Sequence, residues 1–225
     1  MSSSARADVD LRDLLEDIVH FQGDRPVCVA MALSAAHEAA RTSSGAALLS
    51  LAPEAIWASC CALGQTTSAG VLLTDAGAAL HSTGQPSLAN WPFDDSLGFD
   101  TEDAPASAVS GEWHRGQLAV LTVEGDGDED GIEDALERKQ AVVIVVGVTD
   151  SLYFPDRGVV SPVIGQSTYG YHAVTAVGAS THPLLGRCLL IKNSWGAGWG
   201  LGGYAWLPLT YLIHYGAQAC CVATL

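Results

Sequence analysis

The sequence predicts an α+β protein with two subdomains, because its first half has helical patterns and its second half has strand patterns. Up to about residue 84, apolar residues recur at helical spacing between loops of glycine and serine. From about residue 112 they occur in short, β-branched runs. The predicted divisions are a disordered or ragged N-terminus over 1–9, a mainly helical subdomain over 10–111 and a mainly β subdomain over 112–225. A cleft between the two subdomains is the natural place for a site.

The helical half contains three predicted helices. The first runs from about Val27 to Arg41, since Pro26 suits a first helical turn and the alanine-rich stretch after it has no glycine. The second begins at Pro53, and the third lies within residues 69–80. The β half is predicted to have one helix near 132–139 and strands at 118–123, 141–148, 173–177, 188–192 and 204–206.

The charge balance argues against nucleic acid and anionic membranes as partners. Ten Lys and Arg residues stand against 25 Asp and Glu, which gives a formal net charge of −15. The first ten residues are polar, and no apolar run approaches the length of a membrane span. The six cysteines contain no C-x-x-C pair, so we expect free thiols and a cytoplasmic location.

One acidic stretch matches the spacing of an EF-hand calcium loop. Asp126, Asp128, Asp130, Gly131 and Glu137 occupy the required positions. A predicted strand precedes the loop where an EF-hand needs a helix, and a predicted helix begins before the loop should end. We therefore interpret this stretch as an acidic turn at a helix start and expect no bound metal.

A single cysteine, Cys28, opens the first predicted helix. Unpaired backbone N–H groups and the positive end of the helix dipole favour a negative charge there, so we expect a lowered thiol pKa. A lone cysteine on an apolar helix is also a common core residue, which is the alternative interpretation.

A cysteine nucleophile needs a base and a residue that orients the base. His172 lies at the start of one predicted strand, and Asn193 lies at the end of the next. Adjacent antiparallel strands would bring the two side chains together. The asparagine oxygen would then bind one ring nitrogen of the histidine and leave the other facing the thiol.

Together these residues resemble the papain-like cysteine peptidases, family C1, in a bacterial-type form. Gln22 stands six residues before Cys28, and His172 is followed by Ala-Val. The most specific block is Lys-Asn-Ser-Trp-Gly-Ala-Gly-Trp-Gly over residues 192–200. The separation of 172 − 28 = 144 residues between cysteine and histidine agrees with the roughly 130–150 of a papain or cathepsin domain.

The resemblance implies a fold with a helical left subdomain, a β-barrel-like right subdomain and an active-site cleft between them. It implies hydrolysis of protein or peptide substrates through an acyl-thioester, with no cofactor. Cys28 would be the nucleophile, His172 the acid and base, Asn193 its orienter and Gln22 a donor to the oxyanion. The implied substrate-binding residues are Trp195, which would also shield the His172–Asn193 bond, together with Gly170, Tyr171, Thr67 and Ser68.

Three departures from the family pattern are visible. Arg25 replaces a cysteine that is normally in a disulfide, and Val29 replaces the usual tryptophan after the nucleophile. The glycine pair that usually binds the substrate backbone has no clear counterpart in residues 65–68.

Regulation and reaction type leave alternatives open. Family zymogens carry an inhibitory pro-segment, whereas 21 residues precede Gln22 here. We therefore expect either a regulator or inhibitor acting in trans or a cleft narrow enough to be safe. The same thiol chemistry also allows a ligase or a deamidase, and a papain fold without catalysis would be a binding module.

Overall fold

The computed structural model describes residues 6–121, 129–161 and 164–225. Its strands are β1 (Val9–Asp10), β2 (Thr66–Thr67), β3 (Gly70–Val71), β4 (Gly116–Leu121), β5 (Val142–Gly147), β6 (Tyr171–His182), β7 (Gly186–Lys192), β8 (Tyr204–Pro208) and β9 (Gly216–Thr224). One antiparallel sheet has the order β4-β9-β5-β6-β7-β8, and β1 also pairs with β6. The strands β2 and β3 form a separate hairpin.

Seven helices accompany these strands in the described residues. They are α1 (Cys28–Ser43), α2 (Pro53–Ala62), α3 (Leu73–Ser82), α4 (Ala106–Val109), α5 (Glu129–Glu137), α6 (Asp150–Tyr153) and α7 (Leu209–Tyr215). None of the described helices is both long and apolar enough to cross a bilayer.

The helix α1 is buried on all sides. Every residue from Val29 to Ala39 is buried, because the helix packs against β6 and β9 on one side and against α2 and α3 on the other. Five of these residues are alanines, whose small side chains allow the neighbouring elements to come close. A helix that is apolar around its circumference is expected to lie in the interior. The first residue of α1, Cys28, is therefore held on a rigid element.

The strand β5 separates two apolar cores. Val142, Ile144 and Val146 point into a core with α5 and α7, whereas Val143 and Val145 contact the core around α1. Successive side chains of a strand point to opposite faces, so a strand covered on both faces is apolar throughout. The sheet is thus fixed against the helical half along its length.

The predicted α+β class is confirmed, and the helix that begins the site is confirmed to within about two residues. The third helix begins later than predicted, at Leu73, because Gly70 and Val71 pair with the preceding strand. The elements α7 and β9 were not predicted from the sequence.

The structure describes residues 6–9 of the predicted ragged N-terminus, and of these Val9 lies in a strand. Val9 pairs with Ala179 in the sheet. Nearby, the guanidinium of Arg6 forms ion pairs with Asp130, Asp134 and Glu137 of α5. Several charged partners and one strand pairing thus hold this segment on the sheet.

The acidic stretch that matches an EF-hand is helical where the calcium loop would turn. Asp130 and Gly131 lie inside α5. Asp126 and Asp128 lie outside the described residues. Among the described residues, no group of three His, Cys, Asp or Glu side chains is arranged to hold a metal ion.

Candidate active site

A cavity of about 600 Å³ lies between the helical half and the sheet. Cys28 lines it from the start of α1, and His172 lines it from the start of β6. The thiol is half-buried and the imidazole is almost completely buried. The predicted cleft therefore contains both the candidate nucleophile and the candidate base.

The antiparallel pairing of β6 and β7 brings His172 and Asn193 together. Thr175 lies opposite Lys192 in this ladder, so the start of one strand meets the end of the other. The Nε2 atom of His172 lies 2.7 Å from the Oδ1 atom of Asn193. An amide oxygen only accepts hydrogen bonds, so Nε2 carries the proton and Nδ1 of the neutral ring is left as an acceptor.

Aromatic rings cover the hydrogen bond between His172 and Asn193. The Trp195 ring stacks on the imidazole with centroids 4.4 Å apart, and Tyr153 stacks on Trp195 at 5.1 Å. Trp199 meets the edge of Trp195, and its own Nε1 donates to the Leu152 carbonyl. This cover keeps water from competing for the Asn193 oxygen, and the Ser194 N–H adds a second donor to that oxygen at 2.8 Å.

The side chain of Gln22 is fixed at both ends of its amide. Its Nε2 donates to the Arg25 carbonyl at 2.7 Å, and its Oε1 accepts a hydrogen bond from the Ser194 hydroxyl at 2.6 Å. One N–H of the amide remains free to donate. The backbone N–H of Cys28 is a second candidate donor, since the first residues of a helix have no acceptor within it and this N–H faces the thiol of its own residue.

The position three residues before Cys28 holds a buried ion pair. The Arg25 guanidinium binds both oxygens of the Glu54 carboxylate, at 2.6 and 2.9 Å. It also donates to the carbonyls of Asp94, Gly98 and Asp100. Arg25 therefore joins the segment before the thiol to α2 and to the loop 94–100.

The expected lowering of the Cys28 pKa is wrong in this structure. Burial raises the pKa of the thiol, and hydrogen bonds from the backbone N–H groups of Ala173, Val29 and Cys28 itself offset this only in part. Burial likewise lowers the pKa of His172 to about 4, against the opposing effect of the Asn193 hydrogen bond. At neutral pH the pair is thus an uncharged thiol beside an uncharged imidazole.

The predicted substrate-binding residues fall into two groups. Gly170 and Tyr171 line the cavity, whereas Thr67, the last residue of β2, and Ser68, in the exposed turn that follows, are absent from its lining. The hairpin contributes Ala69 and Val71 instead. It can approach because residue 70 is glycine: a Cβ there would lie 3.0 Å from the Pro26 carbonyl oxygen.

Sequence reasoning missed the far wall of the cavity. Val145 of β5 and Gln218 of β9 lie directly opposite each other in the sheet, and both line the cavity. The alternation of β5 could have indicated Val145, which shares a face with Val143. Nothing in the local sequence indicated Gln218, because β9 was not recognised as a strand. The importance of Ser194 and Glu54 was also missed.

The fold and the site together define the class of papain-like proteins, in which a cysteine at a helix start faces a histidine and an asparagine from a sheet. The chain matches the family described as Papain family cysteine protease over residues 6–223 and belongs to that family.

Individual relatives support the same family. A cathepsin L-like peptidase from Aedes aegypti is 32% identical over 134 residues, which are 56% of this chain and 40% of that protein. The match thus spans less than half the length of this curated relative.

Solved structures share the fold. Xylellain, a cysteine protease from Xylella fastidiosa, has a TM-score of 0.76 at 21% identity, over 99% of this chain and 87% of that one. A Carica candamarcensis cysteine protease in complex with E-64 has a TM-score of 0.74 at 20% identity, and the match covers 97% of this chain and 99% of that one. The ragweed pollen allergen Amb a 11, a cysteine protease in its proform, has a TM-score of 0.77 at 18% identity, and the match covers 100% of this chain and 67% of that one.

Proposed function

We propose that this chain is a cysteine peptidase that hydrolyses peptide bonds. The observation that carries the proposal is the hydrogen bond of His172 Nε2 to Asn193, which leaves Nδ1 as the proton acceptor on a ring that shares a cavity with Cys28. Membership of the papain family supports the same reaction.

In the first half of the reaction, Nδ1 of His172 takes the thiol proton as the sulfur of Cys28 attacks the peptide carbonyl carbon. The carbonyl oxygen becomes an oxyanion, which accepts hydrogen bonds from the Gln22 amide and the Cys28 backbone N–H. The tetrahedral intermediate collapses when His172 gives its proton to the leaving amine. The product is an acyl-thioester on Cys28 and a free amine.

In the second half, His172 removes a proton from water, and the resulting hydroxide attacks the thioester carbonyl. The same two donors hold the second oxyanion. Collapse breaks the carbon–sulfur bond, and the proton on His172 returns to the sulfur. The carboxylic acid leaves, and the enzyme is regenerated without a cofactor.

The charged imidazolium exists only while an oxyanion or a leaving group is present. Asn193 Oδ1 accepts its Nε2 proton, and the Trp195 ring lies against its face. An aromatic face attracts a cation. The buried site therefore stabilises the charge that develops in the transition state more than it stabilises the resting pair.

The cavity selects an apolar side chain on the acyl part of the substrate. Its wall is formed by Val29, Val71, Leu73, Val145 and Ala173. Backbone groups at Gly170 and Tyr171 lie beside it and would hold the substrate chain, while Thr67 and Ser68 would contact it from the hairpin of β2 and β3. Trp195 would contact the leaving amine.

The test is hydrolysis of fluorogenic peptides with an apolar residue on the acyl side of the scissile bond. Cys28→Ala is expected to abolish hydrolysis, whereas the matched control Cys61→Ala, another half-buried free thiol, should retain it. Intact mass after treatment with a peptidyl epoxide should show one added group, located on Cys28. An active Cys28→Ala protein would overturn the proposal.

We also propose that the enzyme works in the cytoplasm under a regulator that acts in trans. All six cysteines are free, and Arg25 replaces a cysteine that the family normally pairs. Thiol trapping in intact cells is expected to find all six reduced. Purified enzyme should digest unfolded casein broadly, and this digestion should be inhibited by a factor from its own cells; narrow cleavage by the isolated chain would contradict a need for the regulator.

A further inference from the structure

Two of the arginines that make no ion pair with an acidic side chain in the described part of the chain line one cavity. Acidic residues outnumber Lys and Arg by 25 to 10. In the described part of the chain, ion pairs with acidic side chains are made by Arg6, Arg12, Arg25 and Arg187. Arg41 and Arg115 make none there, although acids are abundant. Both line the same cavity.

This cavity, of about 280 Å³, lies at the C-terminal end of α1, the opposite end from Cys28. The Nη1 atom of Arg41 is buried, and no hydrogen-bond partner lies near it among the described residues. Glu112 is the acidic side chain in the lining; it is 84% exposed, and its Oε1 is 3.8 Å from Nδ1 of His114. The cavity therefore holds a guanidinium nitrogen with an unused donor.

The end of α1 does not need Arg41 as a cap. The Ser44 N–H and hydroxyl both donate to the Ala40 carbonyl. The Ala46 N–H donates to the Arg41 carbonyl. Because these terminal carbonyls are satisfied, neither the helix end nor an ion pair accounts for the buried guanidinium nitrogen.

The remaining polar side chains in the cavity are neutral at physiological pH. Burial lowers the pKa of His37 to about 4, and its Nδ1 lies 3.2 Å from the Gln85 side-chain oxygen. Burial also lowers the pKa of His114, with Arg41 contributing to the shift. Thr224 adds a hydroxyl group, whereas the Ser44 hydroxyl already donates to the Ala40 carbonyl. Positive charge thus comes from the two arginines, with neutral donors around them.

We propose that this cavity binds a small oxyanion, such as phosphate, sulfate or a carboxylate group, between Arg41 and Arg115. A guanidinium presents paired donors that match such oxygens. The site is separate from the catalytic cleft and does not depend on the proposed peptidase activity.

The test is thermal denaturation of the Cys28→Ala protein, which prevents self-digestion, in increasing inorganic phosphate at constant ionic strength with NaCl. The midpoint Tm should rise saturably, by roughly 5–10 °C when phosphate reaches a hundred times its Kd. Arg41→Gln should weaken binding at least tenfold, and Arg115→Gln, at an exposed position, does the same with less risk to folding. The control Arg157→Gln removes the same charge from an exposed loop and should leave binding unchanged.

Two results would overturn the proposal. One is a rise in Tm that NaCl alone reproduces, because this is general screening. The other is saturable binding that survives in Arg41→Gln/Arg115→Gln, because the anion would then lie elsewhere. Parallel titrations with sulfate and acetate identify the kind of anion. A rise in Tm with acetate as large as that with phosphate indicates a carboxylate ligand. A rise with phosphate and sulfate alone indicates a tetrahedral anion.

Discussion

Arg25 and Glu54 form a bidentate ion pair in which both side chains are shielded from water, at 0% and 1% exposure. The guanidinium has five N–H donors. Two of them bind the carboxylate, and the other three bind carbonyls of the loop 94–100. The Phe93 ring also lies 4.9 Å from the central carbon of the guanidinium. A complete set of partners is what a buried charge requires. This pair occupies the place of a family cysteine and needs no oxidation.

Arg25→Met is expected to destabilise the protein by about 3–5 kcal/mol, because it leaves the Glu54 carboxylate buried without its partner. Urea denaturation of the Cys28→Ala background measures this loss. Adding Glu54→Leu to Arg25→Met should restore part of the stability, since both charges are then removed. Loss below about 1 kcal/mol in Arg25→Met would show that the pair does not anchor the fold.

Arg25 also positions the Gln22 amide, since its carbonyl accepts the hydrogen bond from Nε2. Gln22→Ala should lower kcat by about a hundredfold or more with little change in KM, as expected for one oxyanion donor. Arg25→Lys keeps the charge but loses the planar fork, and should lower kcat roughly tenfold by shifting that carbonyl.

A double-mutant cycle separates positioning from general disruption. If Arg25 acts through Gln22, Arg25→Lys should have almost no further effect on kcat in the Gln22→Ala protein. Equal losses from Arg25→Lys in both backgrounds would mean that it acts on the site by another route.

The activity should fall only in strongly acidic solution. His172 must be neutral to accept the thiol proton, and its pKa is lowered to about 4 by burial. Since protonation removes the acceptor, kcat/KM should decrease as the pH drops through about 4 and should be level above it. Asn193→Ala should move this limb to still lower pH, because the Asn193 hydrogen bond raises the pKa.

Circular dichroism at each pH distinguishes loss of the base from unfolding. A decrease in kcat/KM near pH 6.5, the ordinary pKa of histidine, that Asn193→Ala does not shift would contradict the buried neutral imidazole.

The fold class and the grouping of the candidate site residues could be predicted because their signals are local. The alanine-rich run that makes α1 and the apolar run that makes β5 each determine their own conformation. The histidine and asparagine follow from strand ends that lie close along the chain. Such local signals can be recognised in a single sequence.

The remaining features depend on distant contacts. Arg25 is 29 residues from Glu54 and about 70 from the carbonyls that it binds, so its pattern of partners has no local signature. The Cys28 pKa depends on burial beneath the sheet, which outweighs the helix start. The strand β9 has small and polar residues, and only its pairing with β4 and β5 makes it a strand.

Buried histidines should make the protein less stable in acid. Burial lowers the pKa of His20, His37 and His172 to about 4 each, below the unfolded value of about 6.5. The unfolded state therefore binds more protons between pH 6.5 and 4, and stability falls as the pH decreases through that range. Glu38 opposes this, since burial raises its pKa to about 7 and its effect lowers stability as the pH rises.

His37→Gln isolates one of these contributions without touching the catalytic cleft. Between pH 6.5 and 4, the slope of the unfolding free energy against pH should decrease by about 1.4 kcal/mol per pH unit, which is one proton. Urea denaturation at half-unit steps measures the slope. His81→Gln replaces an exposed histidine and is the matched control; equal effects of the two substitutions would contradict a buried neutral His37.

The size of the cleft should be adjustable at Val145. This side chain lines the cavity from the middle of β5, opposite Ala173 of β6 and Gln218 of β9. Val145→Phe would fill part of the roughly 600 Å³ that a substrate side chain enters. The value of kcat/KM for a peptide with a leucine or phenylalanine there should fall 10- to 200-fold, whereas a peptide with alanine should be cleaved almost as before. Val120→Phe, at an exposed position of β4, is the matched control. If Val145→Phe lowered kcat/KM equally for both peptides, the specificity pocket would lie elsewhere.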